Sequence, residues 1–594
     1  MAESAAKPAG TGFRLPAAAW LRSYSRADLG ADLLASVIVT IMLIPQSLAY
    51  AMLAGLPPET GLYASMLPVV AYAALGSSRV LAVGPVAVIS LMTATALAEV
   101  TAVHDVSWPV AAALLALLSG GFLAALGLLR MGWIANFLSH AVITGFISAS
   151  AILIALGQLR HLLGIEASGK TLPELVPVLA ANAGSAIPEV MLVGFGALAF
   201  LHLVRTRLGP LLRTLGLRPG LASACVRAGP VLAVVVGTLL VSLLALADQG
   251  VPVVGAVPAG LPTPRIPTLD LELIRALAPS ALLVSLVGFV ESISVGQSLA
   301  LRRRQRVEPD QELLGLGAAN IASGLSGGFP VTGGFSRSVV NYDAGAVTPM
   351  AGVLTALAMA AVAAFMTPAF HDLPRAVLAA VIVVAVLPLV DFAAMGRAWR
   401  HSRWDFGALA VTFAGVLLLG VEAGIGLGVL LSLGVHLGRS SRPHLAVVGR
   451  VPGTEHFRNV DRHEVHTARR VLSVRVDESL WFANARFLED RLGALLADRP
   501  EVSDLVLQCT AVNGVDGSAM ETLERISERL GAAGVRFHLA EVKGPVMDVL
   551  RRAGIPERLS GEVFFTQHEA MRTLAPEEEP GTGPGVCGRN RDDA

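Results

Sequence analysis

Up to about Leu437 the chain is a succession of apolar stretches, each near the length needed to cross a lipid bilayer. They fall near 31–52, 61–77, 84–99, 109–130, 136–157, 186–204 and 229–247. A second set lies near 277–300, 312–326, 333–346, 348–367, 374–390, 405–420 and 422–438. A spanning helix takes roughly 20 apolar residues, fewer where half-helices meet inside the protein. The pattern therefore predicts about fourteen membrane segments. Composition agrees: of 594 residues 54% are hydrophobic and 15% charged, too little polar surface for a water-soluble globule.

The charged residues orient the segments. With the N-terminus in the cytoplasm, internal loops receive Arg79, Arg130, Arg205, Arg207, Arg213, Arg218 and Arg227. They also receive Arg302, Arg303, Arg304, Arg306, Arg397, Arg400, Arg403, Arg439 and Arg442, while external loops keep Lys170, Arg265 and Arg375. This bias predicts a multi-pass protein of a bacterial-type cytoplasmic (inner) membrane with both termini inside. The N-terminus lacks the apolar core of a signal peptide. The expected organisation is an N-terminal cytoplasmic segment 1–27, a membrane domain 28–440, a linker 441–469, a soluble domain 470–575 and a disordered tail 576–594.

Several function classes drop out. The net charge of +0 gives no reason to expect nucleic acid. Cys225, Cys509 and Cys587 are scattered, and His456, His463 and His466 lack the His-Glu-x-x-His spacing, so no metal site is expected. No Walker loop or nucleotide-binding glycine fingerprint is present, which argues against ATP coupling, a bound cofactor and an enzyme activity.

The third and tenth segments are short and enter through glycine and proline, in AVGPVAVISLM from Ala82 and GGFPVTGGFSRS from Gly327. Such interrupted segments at matching places of two halves mark transporter binding sites. They stand seven segments apart, which predicts two seven-helix repeats, and an odd count per repeat inverts the second copy. If each begins near mid-membrane, two helix N-termini face one another with unpaired N–H groups and positive dipole ends, a setting suited to an anion.

Arg337 opens the tenth segment, with Ser336 and Ser338 offering hydroxyls beside it. A charge at a helix centre costs roughly 2.5–3.5 kcal/mol on insertion, so it is seldom there without a role. The alternative is that Arg337 sits at the membrane edge and snorkels. Glu291 interrupts LLVSLVGFVESISVGQ, where a carboxylate can take up and release a proton during transport. It could pair with Arg337 when no substrate is bound, or the two could form a static structural pair. In the first segment, Pro45 is expected to break the helix locally, bringing Gln46 and Tyr50 within reach of a substrate. Helix packing explains those residues equally well.

These residues carry a resemblance. IPQSLAYAMLAGLPPETGLYASMLPVVAYAALGSSRVLAVGPVAVISLM from Ile44, FVESISVGQSLA from Phe289 and GGFPVTGGFSRSVVNYDAGA from Gly327 look like signatures of the SulP, or sulfate permease, family. The likeness covers all but the two tails. It implies an α-helical membrane fold of fourteen segments in two inverted seven-helix repeats, divided into core and gate domains. It also implies a homodimer and an elevator-like movement of the core. By motif it places the anion at Gln46, Tyr50, Pro85, Val86, Ala87, Phe335, Ser336 and Arg337, with Glu291 at the family's proton-coupling position. Val86 stands where some relatives have an aromatic residue, which leaves that side of the pocket less enclosed. A sodium-coupled bicarbonate branch favours Asp at the acidic position, so Glu291 favours protons over sodium.

From about Arg470 the pattern changes to strands at Val471–Val476, Asp504–Gln508 and Val535–Ala540. Helices are expected near Arg486–Ala497, Gly517–Leu530 and Pro545–Ala553. This resembles a cytoplasmic α/β STAS domain, which implies a cytoplasmic partner. VNGVDGSAMETL from Val512 stands where anti-sigma-factor antagonists carry a phosphorylatable serine, which points to Ser518 as a regulatory position. Asp516 and Ser518 equally suit a helix N-cap. The leading expectation is proton-coupled sulfate transport. Bicarbonate and C4-dicarboxylates remain open as substrates, as do a passive anion channel and a STAS-linked membrane sensor.

Overall fold

The computed structural model describes residues 15–137, 139–167, 169–216, 226, 228–267 and 270–576, in two compact units that meet after Ser432. Arg218, Arg227, Cys225, Cys587 and the tail from 577, expected to be disordered, lie outside the described residues.

The first unit is helical because a bilayer offers no partner for backbone N–H and C=O groups, and a helix pairs them internally. It opens with α1 (Pro16–Arg22), α2 (Arg26–Leu53), α3 (Pro58–Tyr63), α4 (Leu67–Leu75), α5 (Ala87–Val100), α6 (Trp108–Leu128) and α7 (His140–Leu163). Next come α8 (Leu172–Asn182), α9 (Pro188–Leu203), α10 (Gly209–Thr214), α11 (Gly229–Leu243), α12 (Leu271–Arg302), α13 (Pro309–Leu325) and α14 (Phe335–Asp343). It closes with α15 (Met350–Phe365), α16 (Arg375–Val386), α17 (Phe392–His401), α18 (Arg403–Leu419) and α19 (Val421–Ser440). Each of the fourteen apolar stretches falls on one of these helices or on a pair of them. Among the described residues seven helical stretches are long and apolar enough to cross a membrane, by length and composition.

Large apolar side chains lie on both sides of these helices. Leu43, Leu62, Phe289, Leu313, Phe329 and Val377 fill one buried cluster, while Leu232, Val236, Leu239 and Leu243 share an exposed face of α11. In water that face would be a liability; against acyl chains it costs nothing.

The structure departs from expectation at four places. Pro45 does not break the first segment: α2 runs unbroken through it. The proline removes one N–H, and a buried helix tolerates that single loss when the turns on either side stay packed. The second segment is two short helices, α3 and α4, separated by Ala64–Met66. Four further helices, α1, α8, α10 and α17, lie outside the predicted spans. In the second unit, residues 441–469, expected as a linker, supply two strands.

Those strands are β3 (Leu445–Arg450) and β4 (Phe457–Asn459); the short β1 (Val83–Gly84) and β2 (Thr332–Gly333) belong to the membrane unit. With β5 (Val471–Val476), β6 (Asp504–Gln508), β7 (Arg536–Ala540) and β8 (Val563–Phe564) they form a sheet of order β4-β3-β5-β6-β7-β8. Its β5 to β8 pairs are parallel, and β3 joins antiparallel to both neighbours. β3 belongs there because its alternating Ala446 and Val448 are buried with Phe457 of β4. The connecting helices α20 (Phe482–Ala497) and α21 (Gly517–Ala532) lay Leu488, Leu492, Leu523 and Ile526 over Leu472, Val474, Leu505, Leu507, Phe537 and Leu539. Two more helices, α22 (Gly544–Arg552) and α23 (Gln567–Leu574), complete the unit.

Cys509, just after β6, lies in this core. Desolvation, with a smaller contribution from the Glu541 charge, pushes its thiol up to about 12. Since only the thiolate alkylates readily, iodoacetamide at about pH 8 is expected to spare Cys509 in the folded protein and label it after denaturation. Peptide mass mapping reads the difference.

Candidate functional site

The chain runs extended for two residues shortly before each short helix, and these two pieces pair. β1 lies antiparallel to β2, with Val83 opposite Gly333 and Gly84 opposite Thr332. α5 and α14 therefore start on either side of one crossing. Their N-cap residues, Val86 and Gly334, provide no side-chain cap. The first hydrogen bonds run from the Ser90 N–H to Val86 and from the Ser338 N–H to Gly334. The N–H groups of residues 87–89 and 335–337 thus have no acceptor within their own helices. A β-carbon placed on Gly334 would stand 3.1 Å from Val86 Cγ1, so the two N-caps touch.

Arg337 lies against this crossing. Its side chain is buried, and Nε, Nη1 and Nη2 all lack a hydrogen-bond partner among the described residues. A β-carbon on Gly84 would come within 3.1 Å of Nη1, and one on Gly334 within 3.0 Å of Nη2. The guanidinium rests on two glycine backbones, and Gly84, with φ of 154°, adopts a conformation essentially reserved for glycine. Breaking a buried ion pair costs roughly 3–5 kcal/mol because one charge is left uncompensated. A cation held this way, beside two uncapped helix starts, calls for an anionic partner.

Glu291 does not supply it. Glu291 and Tyr50 both belong to the surroundings of Arg337. Yet no ion pair of 4.0 Å or less joins Glu291 to Arg337. Gln46 and Tyr50, four residues apart on α2, are buried, and their side chains make no hydrogen bond among the described residues. Pro85, Val86 and Ala87 are buried at the start of α5, while Phe335 and Ser336 are exposed, so Arg337 is the enclosed member of its trio. On α21, Ser518 is exposed, and Asp516 caps the helix by accepting the Ala519 N–H at 2.9 Å.

Sequence reasoning named Ser338 only as a hydroxyl beside Arg337 and missed the other residues that hold the crossing together. The Ser338 hydroxyl accepts the Ala82 N–H at 2.9 Å and donates to the Gly334 carbonyl at 2.7 Å. Asn341 Nδ2 donates to the Val80 carbonyl at 3.0 Å. From α12, Ser292 Oγ accepts the Gly333 N–H at 2.8 Å and shares a hydrogen bond of 2.7 Å with Thr332 Oγ1. Thr332 Oγ1 also donates to the Gly288 carbonyl at 2.6 Å. The helix that carries Glu291 therefore grips β2 through the next residue along. The available signal was a small polar side chain inside an apolar run, which a hydropathy reading averages away.

Residues 29–412 match the sequence profile described as the Sulfate permease family, and residues 462–570 match the STAS domain. The chain is 35% identical over 572 residues to probable sulfate transporter 4.2 of Arabidopsis thaliana, covering 94% of this chain and 83% of that protein. It is 33% identical over 565 residues to a probable sulfate transporter of Mycobacterium tuberculosis, covering 94% and 98%. The structure of the murine Solute Carrier 26 family member A9 anion transporter in the inward-facing state superposes with a TM-score of 0.85. That match has 22% identity and covers 96% of each chain. The transmembrane domain of the cyanobacterial bicarbonate transporter BicA superposes at 0.56, with 21% identity, over 69% of this chain and 97% of that one.

Adding a methyl at Gly334 crowds both Nη2 of Arg337 and Val86. Gly334→Ala is therefore expected to weaken anion binding severalfold while lowering stability by about 1 kcal/mol, the usual cost of alanine at an N-cap. Calorimetric titration and thermal unfolding of the detergent-purified protein measure the two effects.

Proposed function

Because this chain belongs to the sulfate permease family and carries a STAS domain, we propose that it is a proton-coupled sulfate transporter working by an elevator-like movement. The observation that carries the anion assignment is the buried, unpartnered guanidinium of Arg337 beside two uncapped helix N-termini. The family and its relatives are transporters, not enzymes. Sulfate as substrate is supported by what the Arabidopsis and Mycobacterium relatives are named for.

On this reading the sulfate oxygens accept from the N–H groups of residues 87–89 and 335–337 and from Arg337, with Gln46 and Tyr50 as side-chain donors from α2. Pro85, Val86 and Ala87 wall one side, and Phe335 and Ser336 stand at the mouth. Glu291 is the proton carrier: it lies within electrostatic reach of Arg337 without being tied up by it. A proton on Glu291 lets the dianion settle beside Arg337 with less repulsion, and its departure favours release. The protein works as a homodimer in a bacterial-type inner membrane with both termini cytoplasmic, and the STAS domain meets a cytoplasmic partner through the surface around Ser518.

Labelled sulfate uptake into proteoliposomes, with and without an inward proton gradient, tests this directly. Gradient-driven accumulation is the expected result. Absence of uptake by folded protein would shift the substrate to bicarbonate or a C4-dicarboxylate. Uptake indifferent to every ion gradient would indicate a channel. Arg337→Ala removes the central cation and is expected to weaken sulfate binding roughly 30-fold or more; wild-type affinity in that variant would refute the site. Glu291→Gln is expected to preserve sulfate binding while abolishing the acceleration of uptake by external acid. An unchanged pH profile would remove Glu291 from the coupling role.

A further inference from the structure

Both half-helices of the anion site are led in by irregular backbone, and one helix grips both lead-ins. Near its start, α13 buries Glu312 completely. Its carboxylate accepts from the Tyr72 hydroxyl at 2.7 Å, the Ser77 N–H at 2.8 Å, the Ser77 hydroxyl at 2.7 Å and the Ser78 N–H at 2.8 Å. Three of these donors converge on Oε1, and the Tyr72 hydroxyl meets Oε2. The turn is pressed hard against the helix as well: a β-carbon on Gly315 would lie 2.6 Å from Gly76 Cα. Five residues beyond Ser78 the chain enters β1.

About 12 Å further along the axis, at 1.5 Å per residue, Asn320 performs the same task for β2. Its Nδ2 donates to the Val331 carbonyl and its Oδ1 accepts the Val331 N–H, both at 2.9 Å. Val331 is the residue immediately before β2. Ser323 adds a hydrogen bond of 2.6 Å to the Phe329 carbonyl. Glu312, Asn320 and Ser323 recur at intervals that keep them on one side of an α-helix, and all three are buried.

We propose that Glu312 and Asn320 are positioning residues: α13 is a rigid spacer that sets the gap between the two helix N-termini and so the size of anion accepted. This rests on the reading of the crossing as the anion site. Neither residue need touch the ion. Each fixes one lead-in to a common rod, so the gap is as constant as the rod's length. Replacing the amide of Asn320 by a carboxylate sets an oxygen against the Val331 carbonyl. Replacing Glu312 by glutamine removes the negative charge shared by the three donors on Oε1 and sets an amide NH2 against the Tyr72 hydroxyl. Either change releases one lead-in and lets the gap widen.

The experiment measures half-saturation for sulfate and for the larger oxyanion molybdate in proteoliposomes. It compares wild type, Asn320→Asp, Glu312→Gln and the milder Ser323→Ala, each with its thermal midpoint. Expected for Asn320→Asp and Glu312→Gln is a roughly tenfold weaker sulfate interaction, the scale of one disrupted buried hydrogen bond. Molybdate should lose less, so the preference shifts severalfold toward the larger ion. Ser323→Ala should shift it in the same direction by less. If Glu312→Gln does not fold, the other two variants decide. A folded Asn320→Asp with unchanged half-saturation and unchanged preference overturns the proposal. So does equal loss for both anions alongside a lowered thermal midpoint, the signature of general destabilisation. Arg337→Ala runs in parallel: if it keeps wild-type sulfate affinity, the site reading itself fails, whatever the spacer variants do.

Discussion

The structure depends on a short antiparallel pairing, Val83 with Gly333 and Gly84 with Thr332, made by non-helical backbone within an otherwise helical unit. Hydrocarbon gives N–H and C=O groups nothing to bond with, so a chain that leaves helical geometry there must find every partner within the protein. Here several partners are small polar side chains: Ser338 and Asn341 for the stretch before α5, Ser292 and Asn320 for the stretch before α14. Once the lead-ins are satisfied, what remains open is the pair of helix starts and Arg337. The site is thus defined by where the compensation stops.

That arrangement ties affinity to architecture. A helix N-terminus attracts an anion with a modest partial charge that falls off within one turn, so two of them cooperate only if both stay close to the same point. Free backbone would not hold that spacing. A rod with one clamp per lead-in does, and the rod is a neighbour of the site with no part in contacting the ion. Asp32 performs a comparable task at the exit of the tenth segment. Fully buried, it accepts from the Val347 and Thr348 N–H groups and from the Thr348 hydroxyl.

Legibility in the sequence followed the range of the interactions involved. Apolar runs reported the helices because burial in lipid acts residue by residue, and the STAS strands at 471–476 and 504–508 were visible from local alternation. Arg337 and Glu291 stood out because a charge in an apolar run is rare. What could not be read was the pairing of β1 with β2, which joins residues far apart in the chain. With it went the true starts of the half-helices, at Ala87 and Phe335. Pro45 misled for the converse reason: the local rule against proline inside a helix was overridden by the packing of α2. The strands at 445–450 and 457–459 were hidden in a polar stretch whose few apolar residues gain meaning only against the rest of the sheet.

Two acidic residues of the membrane unit, the buried Glu312 and the half-buried Glu291, differ in their surroundings. Glu312 is fully engaged in holding backbone: three donors meet its Oε1 and the Tyr72 hydroxyl meets its Oε2. Glu291 has no hydrogen bond or ion pair among the described residues, faces the field of Arg337, and is followed by the residue that grips β2. On the proton-coupled reading proposed above, the carboxylate that changes its charge is the one that holds no backbone in place. α12 meets the crossing through uncharged groups, the Ser292 hydroxyl and the Gly288 carbonyl, whereas α13 meets its lead-in through the carboxylate of Glu312.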